Sequence, residues 1–308
     1  MFGQDLGYVA MIVRDLDAAS TVFGAFLGLR RTDLDADGDK VPVFSVGRSA
    51  LALFPVGHRY VDGYDKPGVH HIGVASKDIG AGVAFASQAK VAVLGEPRAS
   101  LGGGQRVALD PAGTASVKTW ITAPLQLQPS QSAHVERIDH LGIASADNVE
   151  GVAAWTRRLG RPLESQQTDM EVSIAVESFT SDKYGVVYHS RPPEPIGGLR
   201  VSFISVGDCE LEFLQNFDPR HSAHVDAASA GNTRQDQGAI TKFIASRGAG
   251  LHHVAFKTPD INAALAMLER AGVPVIDRLG RPGSRRGLIG FVHPRGVGGV
   301  LVHFVQRD

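Results

Sequence analysis

The chain repeats one pattern four times: a short apolar segment, a polar helix start, and a helical stretch that ends near glycine. The apolar segments are GYVAMIV from Gly7, HHIGVA from His70, DHLGIA from Asp139 and HHVAFK from His252. In the fourth copy, Thr258 as N-cap and Pro259 in the first turn predict the start of a helix. Further strand-like segments follow each helix, so the unit is predicted as βαβββ. A repeat this regular means that the fold is built by pairing copies of one unit.

A polar segment divides the four units into two pairs. Residues 124–135, rich in Gln, Pro and Ser, lie between the second and third units and are typical of a linker. We therefore predict two domains, residues 1–123 and 136–308, each made of two units. The third unit carries polar insertions near residues 177–197 and 217–240, which are either lids over a site or surface loops without a role.

Charge and cysteine content exclude several classes of protein. A formal net charge of −1 provides no global basic field for nucleic acid or an acidic membrane. Cys209 is the single cysteine, so neither an intrachain disulfide nor a CxxC metal site can form. The sequence shows no secretory signal and no apolar run long enough for a transmembrane helix. We expect a cytoplasmic protein that acts on a small molecule, with a homodimer left open.

The repeat resembles the vicinal oxygen chelate superfamily, which includes glyoxalase, bleomycin resistance and dioxygenase proteins. The resemblance covers nearly the whole chain, and it is closest to methylmalonyl-CoA epimerase in three segments: residues 138–144, 240–273 and 291–305. Two-domain dioxygenases of the superfamily are a second likeness, because they match in length and in having a C-terminal active domain. The resemblance implies an α+β fold of two domains, in each of which paired βαβββ units form a curved mixed sheet shaped like a cup.

In this superfamily the metal ligands come from the first and last strands of each unit. Carried onto the C-terminal domain, those positions are His140, Glu212, His253 and His303. In the N-terminal domain they are Tyr8, Ala52, His71 and, roughly, Lys118. Three of these last four are not ordinary metal ligands. The resemblance therefore implies one metal site, in the C-terminal domain, with the N-terminal domain kept as scaffold.

The chemistry of the residues agrees with this assignment. Imidazoles and a carboxylate suit Fe, Co, Mn, Ni or Zn better than Ca or Mg. Glu212 lies within an apolar strand, where an unpartnered carboxylate would cost several kcal/mol. Glu210 points the same way as Glu212 in a regular strand, so the pattern permits either and the resemblance favours Glu212. The same alternation predicts that His70 and His252 face away from the ligand side.

The leading hypothesis is a metal-dependent enzyme that acts on a small carbonyl or carboxylate compound, or a CoA thioester, through a metal-stabilised enolate. It would be an epimerase, isomerase or lyase. The catalytic candidates are His303 and Glu212, with the role of His303 as ligand or base left open. Arg281 and Arg285 are candidates for binding an anionic group of the substrate.

Two alternatives belong to other classes. A non-heme Fe(II) ring-cleaving or 2-oxo-acid dioxygenase would use two histidines and a carboxylate, for which His140, His253 and Glu212 are available. A small-ligand binding or resistance protein would hold its ligand within a cup without metal. The sequence leaves the identity of the substrate and of the metal open.

Overall fold

The computed structural model describes residues 3, 5–173, 176–217 and 239–308. These residues form two eight-stranded sheets and a separate two-stranded hairpin. The first sheet uses strands from residues 6–122 and the second uses strands from residues 137–306. The second predicted insertion, 217–240, falls mostly outside the described residues.

The first sheet contains β1 (Leu6–Val13), β2 (Arg31–Ala36), β3 (Asp39–Val46), β4 (Ser49–Pro55), β5 (Gly68–Ala75), β6 (Val93–Ala99), β7 (Gln105–Leu109) and β8 (Thr119–Thr122). Its strand order is β2-β3-β4-β1-β5-β8-β7-β6. The first strands of the two units, β1 and β5, pair antiparallel at the centre. Each also pairs in parallel with the last strand of its own unit.

The rest of the chain contains β9 (Arg137–Ala144), β10 (Leu163–Ser173), β11 (Val176–Ser181), β12 (Gly185–Ser190), β13 (Glu194–Val206), β14 (Cys209–Phe217), β15 (Gly250–Lys257), β16 (Arg281–Pro282), β17 (Leu288–Val292) and β18 (Leu301–Gln306). The second sheet has the order β10-β13-β14-β9-β15-β18-β17-β16, which reproduces the order of the first. The hairpin β11–β12 accounts for most of the first predicted insertion, residues 177–197. Two mixed sheets built from paired βαβββ units confirm the predicted fold.

The helices are α1 (Leu16–Thr21), α2 (Ile79–Gln88), α3 (Asn148–Val152), α4 (Ala239–Arg247) and α5 (Ile261–Arg270). Helix α5 begins after Asp260, whose carboxylate accepts a hydrogen bond from the backbone N–H of Ala263. The predicted N-cap Thr258 is therefore wrong by two residues, because the aspartate supplies the better oxygen for this position. Among the described residues, the helices are too short or too polar to cross a membrane.

One hydrophobic core joins the two sheets through the faces that the helices cover. Phe23 of the first half meets Phe256 of the second with ring centroids 5.9 Å apart. The Trp155 indole N–H donates to the carbonyl oxygen of Thr114 at 3.0 Å. The opposite, concave face of each sheet forms a cup, called here the first cup and the second cup. Each half therefore buries its helix-covered face against the other.

Each first strand of a unit carries a β-bulge, one extra residue that interrupts the ladder. The bulge residues are Gly7 in β1, His70 in β5, Asp139 in β9 and His252 in β15. In every unit the residue that follows the bulge is the predicted ligand position. The bulges therefore decide which side chains enter each cup.

Candidate metal centre

Four side chains meet in the second cup: His140 on β9, Glu212 on β14, His253 on β15 and His303 on β18. Ligand nitrogens of the three histidines all lie within 4.8 Å of one another. Glu212 Oε2 lies 3.3 Å from His140 Nε2 and 3.5 Å from His253 Nε2. All four residues are buried. The structure thus brings together every residue predicted as a ligand.

The pairing register of the four strands explains why these four side chains lie together. Gly142 of β9 pairs with Glu212 of β14, and Ala255 of β15 pairs with His303 of β18. Ala255 also pairs with His140 across the centre of the sheet. The four strands are adjacent, so their inward side chains converge. A Cβ atom at Gly142 would lie 2.0 Å from Cε1 of His253, so glycine is required there.

The nitrogen atoms of this group fit a metal. Nε2 of His140, Nε2 of His253 and both ring nitrogens of His303 are buried and make no hydrogen bond within the described part of the chain. An unsatisfied buried polar group costs about 1–3 kcal/mol, so a cluster of them in one place needs a partner. Three imidazoles with a carboxylate suit a divalent transition metal, which would satisfy these atoms together.

The charge states also suit a metal. Burial lowers the pKa of His253 and of His303, so both imidazoles are neutral. Burial alone would raise the pKa of Glu212, but the neighbouring His140 holds it well below its usual value. Burial opposes the His140 cation, yet the charges of Glu212 and Asp139 outweigh burial and raise the pKa of His140 to about 9. Metal binding would therefore displace a proton from His140 at neutral pH.

Two bulge residues contact the Nδ1 atoms of the ligand imidazoles. Asp139 Oδ1 lies 2.9 Å from His140 Nδ1, and His252 Nδ1 lies 3.0 Å from His253 Nδ1. The prediction that His252 faces away was wrong, because the bulge interrupts the alternation on which it depended. His70 departs from the prediction for the same reason, with its Nδ1 2.8 Å from His71 Nδ1. Sequence reasoning gave Asp139 no role, although a carboxylate within an apolar strand was a usable signal.

A cavity of about 470 Å³ opens above the four residues. Its walls are mostly apolar and include Leu199, Phe203, Leu214, Ile240, Phe291 and Leu301. Its polar rim includes Asp169, Arg281, Arg285 and Arg307. The described residues of the first insertion, including all of β11–β12, do not line this cavity, so they do not support the lid interpretation.

The two predicted substrate-binding arginines differ in their surroundings. Arg285 lies 2.7 Å from Glu210 and 3.2 Å from Glu164, and its guanidinium carbon lies 3.6 Å from the Phe203 ring centroid. Its charge is thus already compensated. Arg281 is half-exposed and lies 3.2 Å from Asp277. Of the two, Arg281 is the better placed to meet a substrate anion.

Asp169 on β10 is a rim residue that sequence reasoning missed. It lines the cavity, and Nε2 of Gln167 donates to its Oδ1 at 2.9 Å. Desolvation raises the pKa of Asp169, and the charge of Glu212 adds to the effect. Its position beside the cavity makes Asp169 a candidate for proton transfer.

The first cup has a different set at the same positions: Tyr8, Ala52, His71 and Trp120. Gly73 pairs with Trp120, as Ala255 pairs with His303, so Lys118 was wrong by two residues. The pair β5–β8 of the first sheet and the pair β15–β18 of the second are otherwise equivalent, since both are parallel and have the same register.

Aromatic side chains fill the first cup. Trp120 stacks on His71 with centroids 3.5 Å apart, and Tyr8 Oη lies 3.1 Å from His71 Nε2. Tyr60 and the leucines of the predicted linker, Leu125 and Leu127, pack into the same cluster. The first cup therefore holds a packed aromatic cluster where the second holds imidazoles and a carboxylate.

Known proteins resemble part of the chain in sequence. A family model described as the glyoxalase/bleomycin resistance protein/dioxygenase superfamily matches residues 139–291. An uncharacterized protein of Bacillus subtilis (strain 168), YqjC, is 24% identical over 172 residues, covering 56% of this chain and 93% of that protein. Mitochondrial methylmalonyl-CoA epimerase of Homo sapiens is 24% identical over 183 residues, covering 59% of this chain and 81% of that protein.

A solved structure resembles the whole chain in fold. A mutant of 4-hydroxymandelate synthase from Streptomyces coelicolor superposes with a TM-score of 0.67 at 14% identity. The match covers 100% of this chain and 94% of that one. At this identity the similarity concerns the fold alone, and it extends the likeness from the second half to both halves.

Proposed function

Because this chain belongs, through residues 139–291, to the glyoxalase, bleomycin resistance and dioxygenase superfamily, we propose that it is a metal-dependent enzyme of proton transfer. It removes a proton from a carbon next to a carbonyl group. Its substrate is a small carbonyl or carboxylate compound or a CoA thioester, and its reaction is an epimerisation, isomerisation or elimination. The observation that carries this proposal is the convergence of His140, His253 and His303 beside Glu212, with Nε2 of His140, Nε2 of His253 and both His303 nitrogens buried and without a hydrogen bond among the described residues.

We assign His140, Glu212, His253 and His303 to holding the metal, which is Fe, Co, Mn, Ni or Zn. When bound, the metal supplies a Lewis acid that polarises the substrate carbonyl and makes an enolate accessible. The ionised Glu212 offsets part of the metal's charge. The neutral imidazoles of His253 and His303 offer lone pairs without first losing a proton.

We assign the base to Asp169 instead of His303. Both ring nitrogens of His303 are buried within the ligand cluster, so its lone pair is used in holding the metal. Glu212 lies close to two imidazoles, so we assign its carboxylate to holding the metal as well. Asp169 stands outside the cluster on the cavity rim, and its raised pKa brings it nearer to the range useful for a base. Its carboxylate takes up the proton from the α-carbon; in an epimerisation, a proton from solvent then reaches the opposite face of the enolate, and in an isomerisation the carboxylate delivers its proton to another carbon of the enolate.

The remaining cavity residues bind and orient the substrate. Phe203, Phe291 and Leu301 exclude water from the reacting carbon, which strengthens electrostatic interactions within the cup. Arg281 offers an exposed guanidinium to a carboxylate or phosphate of the substrate at the rim.

Elemental analysis of protein purified without chelators tests the metal site. We expect about one metal ion per chain, as one ligand set implies, and its loss in a His140→Ala, His253→Ala double variant. Proton NMR in D2O with methylmalonyl-CoA as the probe then tests the chemistry. Exchange of the α-proton that disappears in Asp169→Asn supports the assigned base. Wild-type protein without stoichiometric metal contradicts the proposal.

A dioxygenase is the second candidate, because His140, His253 and Glu212 include the two-histidine, one-carboxylate set typical of non-heme Fe(II) enzymes. Oxygen uptake by the Fe(II)-loaded protein with catechol or a 2-oxo acid would favour it over proton transfer. A metal-free binding protein is the third candidate. It would retain a small ligand after complete chelation, with the same affinity as before.

A further inference from the structure

Asp139 is a fully buried carboxylate beside His140, and the proton transfer proposed above gives it no role. Its Oδ1 lies 2.9 Å from Nδ1 of His140. Its Oδ2 lies 3.2 Å from a guanidinium nitrogen of Arg137 and 3.2 Å from one of Arg307. A buried carboxylate is stable only with such partners. Asp139 therefore has one imidazole partner and cationic partners on its other side.

The bulge in β9 creates this arrangement. In a regular strand, neighbouring residues point to opposite faces of the sheet. Here the pairing with β15 passes from His140 to Ile138 and leaves Asp139 as the extra residue. Its carboxylate can therefore reach the neighbouring imidazole. The equivalent bulge of the first sheet holds Gly7, which has no side chain, so of these two described bulges only the one beside the candidate metal centre has this arrangement.

We infer that Asp139 is a positioning residue that fixes the tautomer and the ring orientation of His140 for metal binding. This inference rests on the proposed metal site. A carboxylate that accepts a hydrogen bond from Nδ1–H leaves the lone pair on Nε2. Nε2 of His140 is the atom that faces Glu212 at 3.3 Å and makes no hydrogen bond in the described residues. The geometry thus directs the lone pair of His140 to the place where the other ligands converge.

Arginines hold the carboxylate in place. Arg307 lies 3.2 Å from Asp139 and 3.2 Å from Glu210, so it bridges the two carboxylates. Arg285 adds a second bridge, 2.7 Å from Glu210 and 3.6 Å from Asp139. Asp139 cannot turn away from His140 without separating from these cations. This group of charges thus supports the imidazole of a single ligand, His140.

The same support connects the two edges of the second sheet. Arg285 follows β16 at one edge, and Glu164, 3.2 Å from it, belongs to β10 at the other edge. Glu164 is therefore a carboxylate of this group that does not touch an imidazole. Glu164 provides a control for general disturbance of the charges.

Co(II) titration of the full chain, followed by visible absorption, tests the inference. We expect Asp139→Asn to weaken Co(II) binding by about 10–100-fold, the range found when a support of a metal ligand is removed, and to change the absorption bands. Glu164→Gln also removes one carboxylate from the group, but it leaves the His140 contact intact. We expect it to bind Co(II) within about twofold of the wild type.

A second measurement needs no variant. In the Zn(II)-loaded wild type, nitrogen NMR should show the proton of His140 on Nδ1. A proton on Nε2 would overturn the inference, and so would an Asp139→Asn variant with the affinity and spectrum of the wild type. If Asp139→Asn does not fold, the NMR result decides alone. A wild type that binds neither Co(II) nor Zn(II) overturns the proposed function instead.

Discussion

Trp120 occupies, in the first sheet, the register position that His303 occupies in the second. Trp120 pairs with Gly73, and His303 pairs with Ala255, the residues two positions after His71 and His253. The indole stacks on His71 at the place where the second cup gathers imidazole nitrogens. Trp120 is thus one of the three residue differences that separate the packed aromatic cluster of the first cup from the candidate metal centre of the second.

This equivalence predicts different outcomes for two matched histidine variants. His253→Ala should strongly reduce the metal content, because it removes one ligand of the cluster. His71→Ala should leave the metal content unchanged, because its ring contacts Tyr8 and Trp120. Elemental analysis of both variants, purified side by side without chelators, provides the comparison. Loss of half the metal in His71→Ala would show that the first cup also binds metal.

Glycine substitutions test the close approach of side chains to each sheet. A Cβ atom at position 142 would lie 2.0 Å from His253, and one at position 73 would lie 2.5 Å from Cε1 of Tyr8. We expect Gly142→Ala and Gly73→Ala each to lower the free energy of unfolding by about 1–3 kcal/mol through overpacking. Only Gly142→Ala should also weaken Co(II) binding. Equal Co(II) affinities in the two variants would contradict the assignment of His253 as a ligand.

The first cup predicts a loss of stability in acid. Burial, with repulsion from Lys118, lowers the pKa of His70 to about 3. The unfolded chain protonates this imidazole near pH 6.5, so stability is lost as the pH falls below that value. At pH 5 the loss from His70 is about 2 kcal/mol, and His70→Gln should remove it.

Urea unfolding at pH 5, 7 and 8 measures this effect. Between pH 7 and 8 the folded imidazole is neutral and the unfolded one is protonated to about a quarter or less, so stability changes little and that interval is the internal control. The difference between wild type and His70→Gln should depend on pH only below about 6.5. A difference that is equal at pH 5 and pH 7 would show that His70 does not titrate as the structure implies.

The contact of Arg285 with the opposite edge predicts a change in local motion. Arg285→Gln removes ion pairs to Glu164 and Glu210, so amide exchange in residues 281–287 should accelerate by about tenfold. Arg281→Gln is the matched control, since Arg281 pairs with Asp277 at its own edge. Hydrogen exchange with mass spectrometry compares the two. Equal exchange in both variants would show that Arg285 does not hold the edges together.

The repeat, together with the family resemblance that it carries, was sufficient to predict the architecture and the four residues that converge in the second cup. The β-bulges were not predictable, because alternation of faces assumes a regular strand and a bulge adds one residue without a distinctive sequence. That is why His252 was placed on the wrong face and Asp139 was overlooked. The error of two residues in the last-strand position of the first cup, predicted as Lys118 and found as Trp120, has a similar origin. Ala115 and Ser116 before β8 have left-handed backbone angles, φ of 51° and 66°, without the glycine that usually signals them.

Asp169 was missed for another reason. It lies in the long edge strand β10, and nothing in its neighbourhood along the chain relates it to β14, where Glu212 lies. Only the curvature of the sheet brings the edge strand over the cavity, and curvature cannot be deduced from alternation of apolar residues. Roles that depend on distant edges of a sheet therefore require the structure.

The core shared by the two halves has a consequence for the behaviour of the whole chain. Opening either half would expose apolar surface of the other, including the Phe23–Phe256 contact. We therefore expect the two halves to unfold together. A ligand or metal that binds only in the second cup then raises the melting temperature of the first half as well. The melting of the first half would then report the occupancy of the second cup.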